Sequence, residues 1–126
     1  IRTSGDIVKA LAAGADFVML GSLLAGTEEA PGEKIARNGH VFKKYRGMAS
    51  KDAQISWRGR YSSNEGVSAE VPFKGPVGDI LDDLTNGVRS GLSYSGARSI
   101  KELQAKAVFV RQTAAGQGES RAHING

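Results

Sequence analysis

Phe17-Val18-Met19-Leu20 is an unbroken apolar run that passes without a linker into Gly21-Ser22-Leu23-Leu24-Ala25-Gly26. Apolar residues in succession, with no alternation, predict a strand buried on both faces, as in a parallel sheet. Parallel strands need helical crossovers, so this run constrains the chain toward an α/β architecture. The apolar pattern after Gly21-Ser22 predicts a helix. A glycine at such a junction lets the backbone come close to a ligand, and a helix start leaves N–H groups pointing outward. That arrangement suits a phosphate. The same residues also read as a tight strand-to-helix turn with no ligand.

The chain has 126 residues, 40% hydrophobic and 24% charged, which is enough for one modest core. It contains no cysteine, which excludes a disulfide framework, a thiolate nucleophile and a cysteine-ligated metal within it. No signal peptide is visible, and no apolar run approaches the roughly 18 residues of a membrane-spanning helix. The formal charge is +4, but lysines and arginines are scattered, and their tightest group, Lys43-Lys44-Tyr45-Arg46, is short. An anionic small molecule is therefore a better expectation than nucleic acid, and neither nucleic acid nor a membrane is expected as a partner.

In chain order, Ser4 is a candidate N-cap, Asp6 favours the first turn of a helix, and Gly14 suits its end. Ile7, Val8, Leu11 and Ala12 form its apolar face. A βαβ unit would need a strand before this helix, so the chain is expected to be the C-terminal part of something longer. Thr27 to Glu33 is polar and closes on Pro31-Gly32 turn chemistry. Asn38-Gly39 predicts a hairpin turn, and His40 to Tyr45 a strand beyond it. Residues 51–66 follow no clean period and are expected to be a mobile functional loop, a flap. Glu70-Val71-Pro72-Phe73 predicts an edge strand, because proline cannot donate to a central ladder. Pro76 is expected in the first turn of a helix whose apolar positions are Val77, Ile80, Leu81, Leu84 and Val88. Ser99 to Glu102 predicts a capping box opening a last short helix. Val108-Phe109-Val110 reads as extended, and residues 112–126 as an exposed Gly-, Ala- and Ser-rich tail.

Several stretches together resemble the IMP dehydrogenase/GMP reductase family. They are Ile1 to Asp6, Met19 to Glu29 with Pro31-Gly32-Glu33, Tyr45-Arg46-Gly47-Met48, Glu65-Gly66-Val67, Val71 to Gly75, and Gly87 to Gly91. The match covers nearly the whole chain, in family order. It implies that residues 1–126 are the C-terminal portion of a (β/α)8 barrel, a fold that typically needs roughly 250 residues, with a flap and a short antiparallel hairpin. Phosphate sites in such barrels commonly lie after the seventh and eighth strands, in agreement with the reading of Gly21-Ser22.

The resemblance implies that Gly21 and Ser22 hold the 5′-phosphate of a purine nucleotide, IMP or GMP, with Tyr45 as a further phosphate contact. Gly47 and Met48 would line the purine, and Glu65 would accept from its lactam N–H in a charge-assisted hydrogen bond. Tyr45 also reads as a strand-end aromatic packing on the core, and Glu65 as a solvated loop residue. The family's covalent step uses a cysteine, which this chain lacks, so the chain alone is expected to be inactive.

The resemblance further implies an oxidoreductase that uses NAD or NADP, a homo-oligomer (tetrameric in the family), and a cytoplasmic location. Between Met48 and Glu65 the flap is shorter than is typical of IMP dehydrogenases, which is similar to GMP reductases and leans the reading to GMP-to-IMP conversion; the alternatives are IMP dehydrogenase or a non-catalytic nucleotide-binding or oligomer-forming piece. Arg60 and Tyr61 are similar to the water-activating pair of the dehydrogenases, although they lie closer to Glu65. The tail, with Glu119, Ser120 and Arg121, resembles the dehydrogenase segment that helps hold a monovalent cation, potassium, across a subunit boundary. A frayed terminus is the other reading of that tail.

Overall fold

A computed structural model of the chain describes residues 1–47, 55, 57–59 and 68–120. Its elements are α1 (Ser4–Ala12), β1 (Lys34–Arg37), β2 (His40–Arg46), β3 (Ser68–Pro72), α2 (Val77–Tyr94), α3 (Ile100–Lys106) and α4 (Ala114–Glu119). The strands form one antiparallel sheet in the order β1-β2-β3. Asn38 and Gly39, at φ 51° and 78°, make the tight turn that pairs Arg37 with His40. β3 lies on the sheet edge with Pro72 at its end, opposite Phe42, as the proline required.

The core lies among the helices. Ile7 and Leu11 of α1, Leu84 of α2, Leu103 of α3 and Ala97 of the α2–α3 connection bury together, with Val8, Ile80, Val88, Leu92 and, from outside the helices, Leu23 packed around them. Two glycines of α2 bring α1 close: a Cβ at Gly87 would overlap Ser4 Oγ, and one at Gly91 would stand 2.6 Å from Val8 Cγ2. Leu81, expected on the apolar face, is instead exposed, because the buried stripe follows 80, 84, 88 and 92.

Helix ends depart from expectation in detail. Thr3, not Ser4, is the N-cap of α1: its backbone is extended and its Oγ1 accepts from Asp6 N at 3.3 Å, whereas Ser4 is already helical. Pro76 is likewise the N-cap of α2 rather than a first-turn residue. Ser99 caps α3 by accepting from Glu102 N at 3.1 Å, but the Glu102 carboxylate reaches back to Arg98 N at 2.6 Å instead of to Ser99 N.

Among the described residues of this chain the run at 17–20 is not paired as a strand. Phe17 and Met19 are each 91% exposed, while Val18 and Leu20 pack against the helical core. An extended segment becomes a strand only through ladder partners, and none of the described residues pairs with this one. Nor does a helix follow Gly21. Bonds from Leu24 N to Gly21 O (3.0 Å) and Thr27 N to Leu24 O (3.4 Å) make successive tight turns. The chain then reverses at Gly26, φ 85°, where a Cβ would overlap the Pro72 carbonyl. Val108 to Val110 is exposed and pairs with no described strand. Within the described part of the tail Ala114–Glu119 forms α4, capped by Thr113.

Candidate functional site

Along β2 the two-residue period of a strand places Val41, Lys43 and Tyr45 on one face. That face looks onto the loop from Gly21 to Glu33. Lys43 is only 3% exposed, and its ammonium donates to the carbonyls of Thr27 (2.9 Å), Glu28 (3.1 Å) and Ala30. A buried ammonium has three protons to satisfy, and three carbonyls converge on it here. The loop therefore folds around Lys43. Thr27, 1% exposed, closes its own turn by donating to Leu24 O at 2.9 Å.

The segment after β3 completes the frame. Lys74 N donates to Gly26 O at 2.9 Å, Glu28 N to Gly75 O at 2.8 Å, and Thr27 and Gly75 form an isolated parallel bridge. Lys74 Nζ reaches the carbonyls of Ser22 (3.1 Å) and Leu23 (3.0 Å). The Glu29 carboxylate accepts from Val77 N at 2.8 Å, which places an anion at the positive end of α2.

Between this loop, the end of β2 and the start of α2 lies a cleft of about 770 Å³, with Gly21, Gly26, Glu29, Tyr45, Arg46 and Val77 among its walls. Ligand clefts usually span about 300–1,000 Å³. At its rim the nearest atom to a Cβ built on Gly21 would be Tyr45 Oη, at 3.8 Å. Gly21 and Ser22 are both exposed. A phenol beside a glycine backbone at the cleft rim offers neutral donors of a kind suited to an oxyanion.

Of the residues singled out from sequence, the structure brings Gly21 and Tyr45 together at the cleft, Ser22 is next to Gly21 in the chain but is not among the cleft's walls, and Gly47 follows directly on β2. Met48, Arg60, Tyr61, Glu65 and Arg121 lie outside the described residues. In the expected flap, Trp57 is described and is 67% exposed, with the Arg58 guanidinium 4.6 Å over its ring; it is not buried in the core. Glu119 and Ser120 close α4 and do not line the cleft. Among the described residues no group of three or more His, Asp or Glu is placed to hold a metal. Lys43, Lys74 and Glu29 escaped the sequence reading. A lysine at an inward position between Val41 and Tyr45 was the available signal for the first.

A profile described as the IMP dehydrogenase / GMP reductase domain matches residues 1–123. An inosine-5′-monophosphate dehydrogenase from Aquifex aeolicus is 55% identical over 98% of this chain and 27% of its own length. A GMP reductase from Leishmania major is 48% identical over 98% of this chain and 27% of its own length. The crystal structure of a GMP reductase from Trypanosoma brucei in complex with guanosine 5′-monophosphate superposes with a TM-score of 0.88 at 51% identity. That match covers 100% of this chain and 27% of the other. The chain thus spans about a quarter of the length of the relatives it matches, and its α/β fold with a small antiparallel sheet is shared with them.

Proposed function

The chain belongs to the IMP dehydrogenase / GMP reductase family, and we propose that it supplies the nucleotide-phosphate part of a purine-nucleotide oxidoreductase, with Gly21, Ser22 and Tyr45 holding the 5′-phosphate of IMP or GMP. The observation that carries this reading is the approach of Tyr45 Oη to the Gly21 turn at the cleft rim. Two residues assigned separately from sequence meet across two different elements. The Trypanosoma brucei relative was solved with a purine nucleotide bound, which supports the ligand class.

Gly47 and Met48 then line the purine and Glu65 accepts from its base edge. With no cysteine in the chain, the covalent step falls to a residue elsewhere in the intact protein, and residues 1–126 alone are inactive. NAD or NADP supplies the hydride chemistry. We read the assembly as a barrel whose last portion is this chain, and as a homotetramer. On the dehydrogenase reading Arg60 and Tyr61 would act in the flap, and Glu119, Ser120 and Arg121 would help hold a potassium ion. On flap length the reaction leans to GMP reduction. Relatives named for both reactions match at similar identity, so IMP dehydrogenase is the second reading.

The test is nucleotide binding by Gly21→Val and Ser22→Ala, singly and together, in the intact protein. The Gly21 Cβ position is open apart from Tyr45 Oη, so the variant is expected to fold while filling the place a phosphate oxygen would approach. The double variant should lose nucleotide binding, Gly21→Val contributing the larger share. Unchanged affinity in the double variant would refute the phosphate assignment. Turnover with GMP and NADPH against IMP and NAD separates the two branches.

A further inference from the structure

The loop that carries Gly21 and Ser22 is held from the sheet side by two ammonium groups at two separate points. Lys74 takes the carbonyls of Ser22 and Leu23, and Lys43 takes those of Thr27, Glu28 and Ala30. Between these points Gly26 lies so close to the Pro72 carbonyl that no side chain fits. We propose that Lys74, with Lys43 as its anchor, is a positioning residue that aims the Gly21–Leu24 turn at an anionic oxygen; this rests on the reading of that turn as a phosphate site.

The argument is one of peptide geometry. In a turn closed by Leu24 N to Gly21 O, carbonyls point toward the C-terminal end and the early N–H groups toward the N-terminal end. A trans peptide holds its C=O and N–H on opposite sides. The chain has no cis peptide among its described residues, so fixing the Ser22 carbonyl on Lys74 turns the N–H of Leu23 away from Lys74. The ammonium at the carbonyl end thereby orients the donor end, where Gly21 and Tyr45 stand. Its charge also lies about one turn from that end, within the screening length of roughly 8–10 Å at ordinary salt, and favours an anion there. Lys43 serves the same loop from below. It is buried, so it fixes the downstream limb, while the exposed Lys74 acts on the Ser22 peptide itself. Neither lysine has to touch the ligand for this effect.

A purely structural lysine would affect every ligand of the cleft alike, whereas one that orients the turn affects only ligands with a phosphate. The test is calorimetric titration of the intact protein and its variants with guanosine 5′-monophosphate and with guanosine. Lys74→Met, at an exposed position and so expected to fold, should weaken monophosphate binding about tenfold, the scale of losing charge-assisted hydrogen bonds. Guanosine affinity should change less than about twofold. Lys74→Arg, whose fork can reach both carbonyls, should restore most of the loss. Lys43→Met should reduce the preference for the monophosphate and also lower thermal stability. If Lys74→Met weakens both ligands equally, or neither, while Ser22→Ala still weakens the monophosphate alone, the positioning role is wrong and the phosphate reading survives. If Ser22→Ala and Lys74→Met both leave the monophosphate preference intact, the phosphate reading fails and the positioning role falls with it.

Discussion

The helical layer and the loop-and-sheet layer of this chain are held together by different physics. In α1, α2 and α3 the contacts are apolar side chains meeting across glycine-thinned helix faces, with Leu103, 1% exposed, at the centre. In the other layer the loop from Gly21 to Glu33 buries Ala25 and rests Leu23 on the helical core, but polar contacts outnumber these apolar ones. Its shape comes from lysine ammonium groups on backbone carbonyls, from backbone bonds to Gly75 and Lys74, and from the Glu29 carboxylate on α2. Apolar packing is non-directional and tolerates small shifts, while hydrogen bonds to charged donors fix particular peptides in particular directions. The layer that needs only to be stable uses the first, and the layer that carries the candidate site uses the second.

That contrast can be broken at three places. The largest effect is expected from Leu103→Ala, which removes a fully enclosed side chain and leaves a cavity. It should cost about 2–5 kcal/mol, read as a lower denaturation midpoint, with nucleotide affinity of the remaining folded protein little changed. A loss of affinity out of proportion to stability would show that the two layers are not separable. Gly26→Ala should act in the opposite sense. A Cβ there meets the Pro72 carbonyl at a positive φ, with an expected cost of about 1–3 kcal/mol. Hydrogen exchange should find the damage concentrated at Lys74 N–H, which donates to Gly26 O, while amides of α1 and α2 stay protected. Uniformly faster exchange through both layers would contradict a local role.

The smallest effect belongs to the α1 terminus. The Lys9 ammonium, bonded to the Asp6 carboxylate at 2.9 Å, and the Arg2 backbone N–H hold that carboxyl at a pKa of about 2, below its ordinary 3.8. A depressed carboxyl contributes stability that is present above its unfolded pKa and is lost as pH falls through its folded one. The stability difference between the parent protein and Asp6→Asn should accordingly be constant above about pH 5 and shrink between about pH 4 and 2. A difference that persists unchanged at pH 2 would mean that Asp6 acts through something other than its charge.

The sequence by itself determined the local elements whose causes are local. Asn38-Gly39 dictated a hairpin, Pro72 an edge strand, the spacing of Ile80, Leu84 and Val88 a long helix, and Ser99 a cap. It also carried the family resemblance, and with it Gly21, Ser22 and Tyr45 as a set. What only tertiary structure decided was everything that depends on who the neighbours are. Phe17 to Leu20 has the composition of a buried strand, but strand pairing is a property of two segments, and the described residues supply no partner for it. The residues after Gly21 have a helical pattern, yet they coil as tight turns because Lys43 and Lys74, far along the chain, take their carbonyls. Lys43 belongs by composition to a basic surface cluster. Only the pairing of β2 between β1 and β3, with the loop folded over one face, turns that side chain inward and makes it the post around which the site is built.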